Sequence, residues 1–131
     1  MSSRPAGADD EVRGRLLQGE PLQALAFLRG RTRSYDVVAA GDVLAYMGEL
    51  DEVFAAVRRS LVPGGVFAFT VEKSGEQPVR LGVSGRFAHS PAYVESTARA
   101  SGFAVVKIED ACVRFEEQEP VAGLLCLLQS E

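Results

Sequence analysis

The order of residues 35–71 constrains the fold more than any other feature of this chain. Tyr35 to Ala40 is a short apolar run with valines at its centre. It suits a strand buried on both faces, as in a parallel sheet covered by helices. Gly41 and Asp42 end the run. Asp51 is a reasonable cap for a following helix, with Glu52 in the first turn. That helix places Val53, Phe54, Val57 and Leu61 on one face, the spacing of a core-facing stripe. Arg58 and Arg59 fall near its carboxyl end, where the helix dipole favours cations. Val62-Pro63-Gly64-Gly65 then makes a tight turn, and Val66 to Val71 forms a second strand. Strand, helix, turn and strand make a βαβ unit, with a right-handed crossover expected.

Around this unit the signals are thinner. Residues 1–11 are small, polar and acidic, and read as a mobile tail. Val12 to Leu17 is a weak strand candidate, punctuated by Gly19-Glu20-Pro21. Pro21 suits the first position of a short helix carrying Leu22, Leu25, Ala26 and Leu28, with Gly30 as its stop. Glu72 to Gly85 is polar and contains glycine. Long loops of this kind tend to be functional or mobile. Ser90-Pro91 opens another helix, and Gly102 lies just past its end. Phe103 to Phe115 and Val121 to Leu128 read as strands. The turn between them, Glu116 to Pro120, is so short that the two must be antiparallel.

With 131 residues the chain fits one domain, residues 12–131 behind the tail. Its hydrophobic fraction of 47% is enough for one core. A net charge of −4 and a pI near 5.1 argue against general nucleic-acid binding. The densest basic cluster, Arg29, Arg31 and Arg33, reads as a solvated loop or as a contact for a phosphate or an acidic partner. Cys112 and Cys126 both sit in apolar runs and read as buried free thiols, with a disulfide between them as the alternative that two residues alone do not establish. One histidine and no C-x-x-C leave a zinc site, or any other metal, without support. No apolar run approaches the ~18–20 residues that span a membrane, and residues 1–11 hold no apolar signal core. The chain reads as soluble and cytoplasmic.

The stretch YDVVAAGDVLAYMGELDEVFAAVRRSLVPGGVFAFTVE resembles the later half of a class I, Rossmann-like, S-adenosylmethionine-dependent methyltransferase. In that family the fourth strand is followed by a helix, a P-G-G turn and the fifth strand. GRFAHSPAYVESTARASGF is similar to the last helix, and VRFEEQEPVAGLLCLL to the closing antiparallel hairpin. The spacing of GRFAHSPAY resembles that of predicted methyltransferases fused to tetratricopeptide repeats. The resemblance implies an α/β fold: a partial Rossmann-like sheet in the order 4-5-7-6, flanked by helices. The family's first and second strands and its glycine-rich cofactor loop have no counterpart here, and Val12 to Glu20 resembles the third strand and its loop. The chain is therefore expected to be a truncated domain, with the strand Tyr35–Ala40 left as an edge. Such an edge seeks a partner. Residues 12–28 should fold over it, pair with another chain such as a second copy, or move.

The resemblance also implies the site. Gly41, Asp42 and Val43 would line the cofactor cleft at a strand's carboxyl end, unless Asp42 only caps a turn. Glu20 would lie near the adenine edge of S-adenosylmethionine, or merely favour the amino end of its helix. Tyr46 and Met47 would offer walls to the acceptor or the sulfonium, or pack in the core. Arg86 would hold an anionic acceptor group, or make a surface ion pair. His89 would act as a base for a protonated nucleophile, or be structural. Gly64 and Gly65 serve the turn. The implied activity is methyl transfer to an acceptor that the residues do not specify, be it a small molecule or a protein. Two other readings stand beside it. One is a non-catalytic binding or dimerisation module, the other a different α/β enzyme that shares the crossover unit.

Overall fold

The computed structural model describes residues 12–18 and 20–131. The expected tail over residues 1–11 and Gly19 lie outside them. The chain runs β1 (Gly14–Leu17), α1 (Pro21–Arg29), β2 (Tyr35–Ala40), a 3-10 turn (Leu44–Tyr46), α2 (Asp51–Ser60), β3 (Leu61–Lys73), β4 (Val79–Leu81), β5 (Phe87–His89), α3 (Pro91–Ala100), β6 (Phe103–Glu116) and β7 (Glu119–Ser130). The sheet order is β1-β2-β3-β7-β6. β1, β2 and β3 are parallel, and β7 is antiparallel to both β3 and β6. The α/β fold with its closing antiparallel hairpin is thus the one expected. Past the end of β2, β5 pairs parallel with Glu72 and Lys73 of β3, and β4 pairs antiparallel with β5.

Local chemistry sets the element ends. The Ser90 hydroxyl accepts from the Tyr93 N–H and caps α3, whose first residue is Pro91. In α2 the cap is Leu50, without a side-chain bond, and Asp51 is already helical. Asp51 therefore contributes through the dipole, not as the cap expected of it. The Pro-Gly-Gly, expected as a turn ahead of the strand, instead bulges out of its first residues, since β3 already begins at Leu61. Tyr35 pairs with Leu61 and Val37 with Val66, so residues 62–65 leave the ladder. Gly64 sits there at φ 83, which glycine adopts without strain.

All three helices feed one core. Leu25 and Leu28 of α1, Val53, Phe54 and Val57 of α2, and Val94 and Ala98 of α3 pack with Val38, Phe67, Phe69, Leu124, Cys126 and Leu128 from alternate strand positions. Phe54 meets Phe67 and Phe69 with ring centroids 5.8 and 5.4 Å apart. The intervening positions, Val37, Ala39, Val66, Ala68, Leu125 and Leu127, are only half-buried. Among the described residues no helix covers that face. The expectation of a strand buried on both faces is therefore corrected: β2 buries Val38 and Ala40 but not Val37 and Ala39.

Three further expectations change. Tyr35–Ala40 is not an edge, because β1 pairs with it from Gly14↔Val37 to Leu17↔Ala40. The weak strand folds over the apolar edge, its backbone satisfying the groups that would otherwise seek a partner, and β1 itself becomes the margin of the sheet. The polar segment after β3 is not all loop, since it holds β4 and β5. Cys112 is exposed, while Cys126 is buried. Cys112 lies on the outer strand beside a register slip between Cys112 and Arg114, whereas Cys126 lies on the central β7. Burial pushes the Cys126 thiol up to about 12. None of the described helices is long and apolar enough to cross a membrane.

Candidate functional site

β1 and β2 end level at Leu17 and Ala40 while β3 runs on, and these carboxyl ends carry the chemistry. β2 stops at Ala40, so Gly41 and Asp42 emerge beside β3, which continues to Lys73. The Thr70 hydroxyl donates to the Gly41 carbonyl at 2.9 Å and fixes the exit of β2. Thr70 and Glu72 alternate with the core residues Phe69 and Val71, so their side chains leave on the uncovered face. The segment between β4 and β5 brings Arg86 back over this point.

Arg86 ties the mouth together. Its Nε donates to Glu72 Oε2 at 2.5 Å, its Nη2 to Asp42 Oδ1 at 2.5 Å and its Nη1 to the Tyr46 hydroxyl at 2.9 Å. Arg114 of β6 donates from Nε to the same Glu72 oxygen at 3.0 Å, and from Nη1 to Glu116 at 3.1 Å. Glu72 and Arg86 keep only 13% of their side-chain surface exposed, whereas Asp42 keeps 70%. Burial works to raise the Glu72 pKa, but hydrogen bonds from Arg114 and Arg86 outweigh it and hold the carboxyl below its ordinary value. The bond to Asp42 is the main cause that raises Arg86 above its ordinary value.

Two hollows meet at Gly41 and Asp42. One, of about 340 Å³, lies toward β6 and is lined by Thr70, Glu72, Arg86 and Arg114 with Ala45 and Val113. The other, of about 450 Å³, lies toward β1 and is lined by Leu16, Leu17, Gln18, Val43 and Tyr46. The first is polar and ionic. The second has a single charged side chain, the Asp42 carboxylate at its rim.

The expected site residues divide accordingly. Gly41, Asp42, Val43, Tyr46 and Arg86 come together at the mouth. Met47 does not, because its side chain is buried in the core. Glu20 is exposed and stands as the residue before α1, making no side-chain cap. His89 is fully buried. Its Nε2–H donates to the carbonyls of Met47 and Gly48 at 3.1 and 2.8 Å, and the ring stacks on Tyr93 at 5.8 Å. Nδ1 has no hydrogen-bond partner among the described residues. Burial holds its pKa below the ordinary value. An imidazole placed in this way pins the 3-10 segment to β5 and is closed to an acceptor, which removes the catalytic role considered for it.

Sequence reasoning missed Thr70, Glu72 and Arg114. Glu72 carried a usable signal, an acid at the end of an apolar run just like Asp42. Arg114 carried none, since only the length and slipped register of β6 bring it across β3.

No family model matches the chain. Over 37 residues it is 57% identical to malonyl-[acyl-carrier protein] O-methyltransferase of Chlorobium phaeovibrioides, a stretch that covers 28% of this chain and 14% of that protein. Among solved structures it is similar to a SAM-dependent methyltransferase from Methanosarcina mazei, with a TM-score of 0.63 at 12% identity, covering 76% of this chain and 61% of that one. It is similar to 1,6-didemethyltoxoflavin-N1-methyltransferase from Burkholderia thailandensis, solved with 1,6-didemethyltoxoflavin and S-adenosylhomocysteine bound. There the TM-score is 0.61 at 18% identity, covering 76% of this chain and 45% of that one. An S-adenosylmethionine-dependent methyltransferase from Mesorhizobium loti gives a TM-score of 0.55 at 18% identity, covering 75% and 63%. The chain has the Rossmann-like α/β fold of these methyltransferases and spans less than two thirds of their length.

Proposed function

We propose that this chain forms the acceptor-side wall of an S-adenosylmethionine-dependent methyltransferase cleft. The observation that carries the reading is the paired hollow around Gly41 and Asp42, at the carboxyl ends of adjacent parallel strands, where open α/β sheets bind ligands. The short stretch of high identity to an O-methyltransferase supports it.

The residues fit the cofactor only in part. A hollow of about 450 Å³ is of the size that takes a small organic ligand. The Tyr46 ring already carries the Arg86 guanidinium, 5.1 Å from its centroid, so it is the exposed Asp42 carboxylate that suits a cationic group. No Gly-x-Gly follows β1 in the sequence, and among the described residues no second strand-end carboxylate stands where a ribose would need one. The nucleoside therefore lacks partners here, and no chemical step is derived through the cofactor. We assign its glycine loop to residues beyond this chain.

What this chain supplies is orientation of the acceptor. The bonds to Glu72, Asp42 and Tyr46 fix the Arg86 guanidinium, and Asp42 keeps exposed surface with which to accept a hydrogen bond from a ligand. No base is assigned, since His89 is sealed. The test is calorimetric and amide-NMR titration with S-adenosylhomocysteine, on this chain and on the chain joined to its upstream coding sequence. Movement of the Gly41, Asp42 and Val43 amides is expected, with tighter binding in the longer form. Silence at those amides in both forms overturns the proposal.

A second reading, a dimerisation module, is favoured by one observation. Among the described residues, no helix covers the face carrying Val37, Ala39, Val66, Ala68 and Leu127, and Leu16 at the margin is 53% exposed. The occupant on this reading is a second copy, seated on that face and paired with the β1 edge, since the backbone edge of Tyr35–Ala40 is already taken by β1. Sedimentation equilibrium decides it: a strict monomer at every concentration removes the reading.

A further inference from the structure

At the end of the sheet opposite the cleft, α2 delivers Arg58 and Arg59 in its last turn. The loop before β2 returns beneath that turn and is clamped to it. The Arg33 N–H donates to the Arg59 carbonyl at 3.0 Å and the Ser34 N–H to the Ser60 carbonyl at 2.7 Å. The clamp holds Arg33 at φ 47, a conformation few long side chains adopt. Its effect is to set Arg33 beside Arg59. Together with Thr32, Arg58, Ser130 and Glu131 they line a pocket of about 220 Å³.

The charges of this pocket are poorly compensated. Arg58 is fixed by donating from Nε to the Gly102 carbonyl at 3.0 Å and from Nη2 to the Glu131 main-chain oxygen at 2.9 Å. The side chains of Arg33 and Arg59 have no hydrogen bond or ion pair among the described residues. Arg13 meets Asp36, Arg29 meets Glu52 and Arg99 meets Glu95. Arg31 and Arg80 also have no ion pair among the described residues, so it is the shared pocket that sets Arg33 and Arg59 apart. Arg33 and Arg59 are exposed, so water screens their mutual repulsion, and both guanidiniums are open to an anion beside the oriented Arg58.

We infer that this pocket is a binding site for a small oxyanion of phosphate or phosphate-ester size. Guanidinium forks match phosphate oxygens two at a time. The pocket is smaller than the ~300 Å³ at which organic-ligand sites begin. A long polyanion is opposed by the chain's net charge of −4. Glu131 and the carboxyl end of α2 both disfavour an anion, so binding depends on Arg33 and Arg59 together. The site is separate from the methyltransferase reading and stands or falls without it.

The test is an amide-NMR titration of the labelled chain with inorganic phosphate, against sodium chloride at matched ionic strength. Saturable movement of Thr32, Arg33 and Arg59 with phosphate, but not with chloride, is expected. Arg33→Asn keeps a residue tolerant of positive φ, and Arg59→Gln removes the other charge. Each should weaken binding about tenfold, while Arg29→Gln, outside the pocket, should leave it unchanged. Amides distant from the pocket report in the same spectra that each variant is folded. Equal, unsaturating movement with both salts, or unaltered saturation in the Arg33→Asn/Arg59→Gln double variant, overturns the inference.

Discussion

The two faces of one sheet are built from the same strands and differ in almost everything else. On the covered face Val38, Phe67, Phe69 and Leu128 are buried beneath α1, α2 and α3, with Phe54 and Phe103 filling the space between. One residue along, Val37, Val66, Ala68 and Leu127 meet none of the described helices, and the same parity continues into Thr70 and Glu72. A period of two thus carries a strand from core packing to cleft chemistry without any change of course. The unpaired backbone groups of the β2 edge explain why β1 pairs with it, and the polar half of the uncovered face explains why Arg86 and Arg114 converge there. Stability should therefore be concentrated on one face and ligand chemistry on the other, a division that can be tested one position at a time.

The largest effect should come from the covered face. Phe54→Ala removes a fully buried ring that meets Phe67, Phe69 and Phe103, and should cost about 3–5 kcal/mol in urea unfolding. Leu127→Ala, on the other face, should cost well under half as much. Equal losses would break the division.

Next is the point where the layers crowd together. A Cβ at Gly123 would lie 2.3 Å from Val113 Cγ1 and 2.6 Å from the Val71 carbonyl oxygen. Gly123→Ala should destabilise by about 1–3 kcal/mol. Adding Val113→Ala should recover only part, because the carbonyl remains. Full recovery would show that the constraint is side-chain packing alone.

Glu72→Gln tests the ionic mouth. It leaves the Arg86 and Arg114 guanidiniums facing a neutral amide, at a cost of about 1–3 kcal/mol. The pH dependence has a fixed sign. The folded carboxyl titrates below its ordinary value, so its contribution is complete above the unfolded pKa near ~4.3 and is lost as pH falls through the folded value. Unfolding measured from neutral to acid pH should show a fall in wild type that is smaller in the variant. Identical profiles would mean that Glu72 does not hold the cluster.

Legibility in the sequence follows the same division. The stripe Val53, Phe54 and Val57 and the runs at β2 and β3 could be read, because a buried face repeats within each element. Asp42 could be read because it ends such a run. Which face of the sheet the helices cover could not be read, since apolar residues occupy both parities of β2 and β3. Nor could the pairing of Glu72 with Arg114, separated by 42 positions and joined only by the β3–β7–β6 order. His89 misled for a related reason. Its place before the Ser90 cap was legible, but its burial against Met47 and Gly48 depends on β5 pairing with β3.

The smallest effect concerns that histidine, the polar group sealed on the helix side. The groups facing Nε2 are the Met47 and Gly48 carbonyls, and the ring lies against Tyr93, whose hydroxyl accepts from Leu50 N–H and approaches Asp51 at 3.4 Å. No carboxylate contacts the ring itself among the described residues, so nothing there compensates a second proton. The folded pKa is depressed by burial, and the unfolded chain takes up the proton first. Stability should be level above the unfolded value near ~6.5 and decline as pH falls below it, by at most ~1.4 kcal/mol per pH unit. His89→Asn can still donate to the Gly48 carbonyl but does not titrate. Its unfolding midpoint should therefore be lower at neutral pH and level between pH ~6.5 and ~5.5, where wild type declines. A wild-type profile as level as the variant's would mean that the imidazole reaches water. His89 would then return to the candidates for the cleft, and the covered face would not be the closed layer that its packing describes.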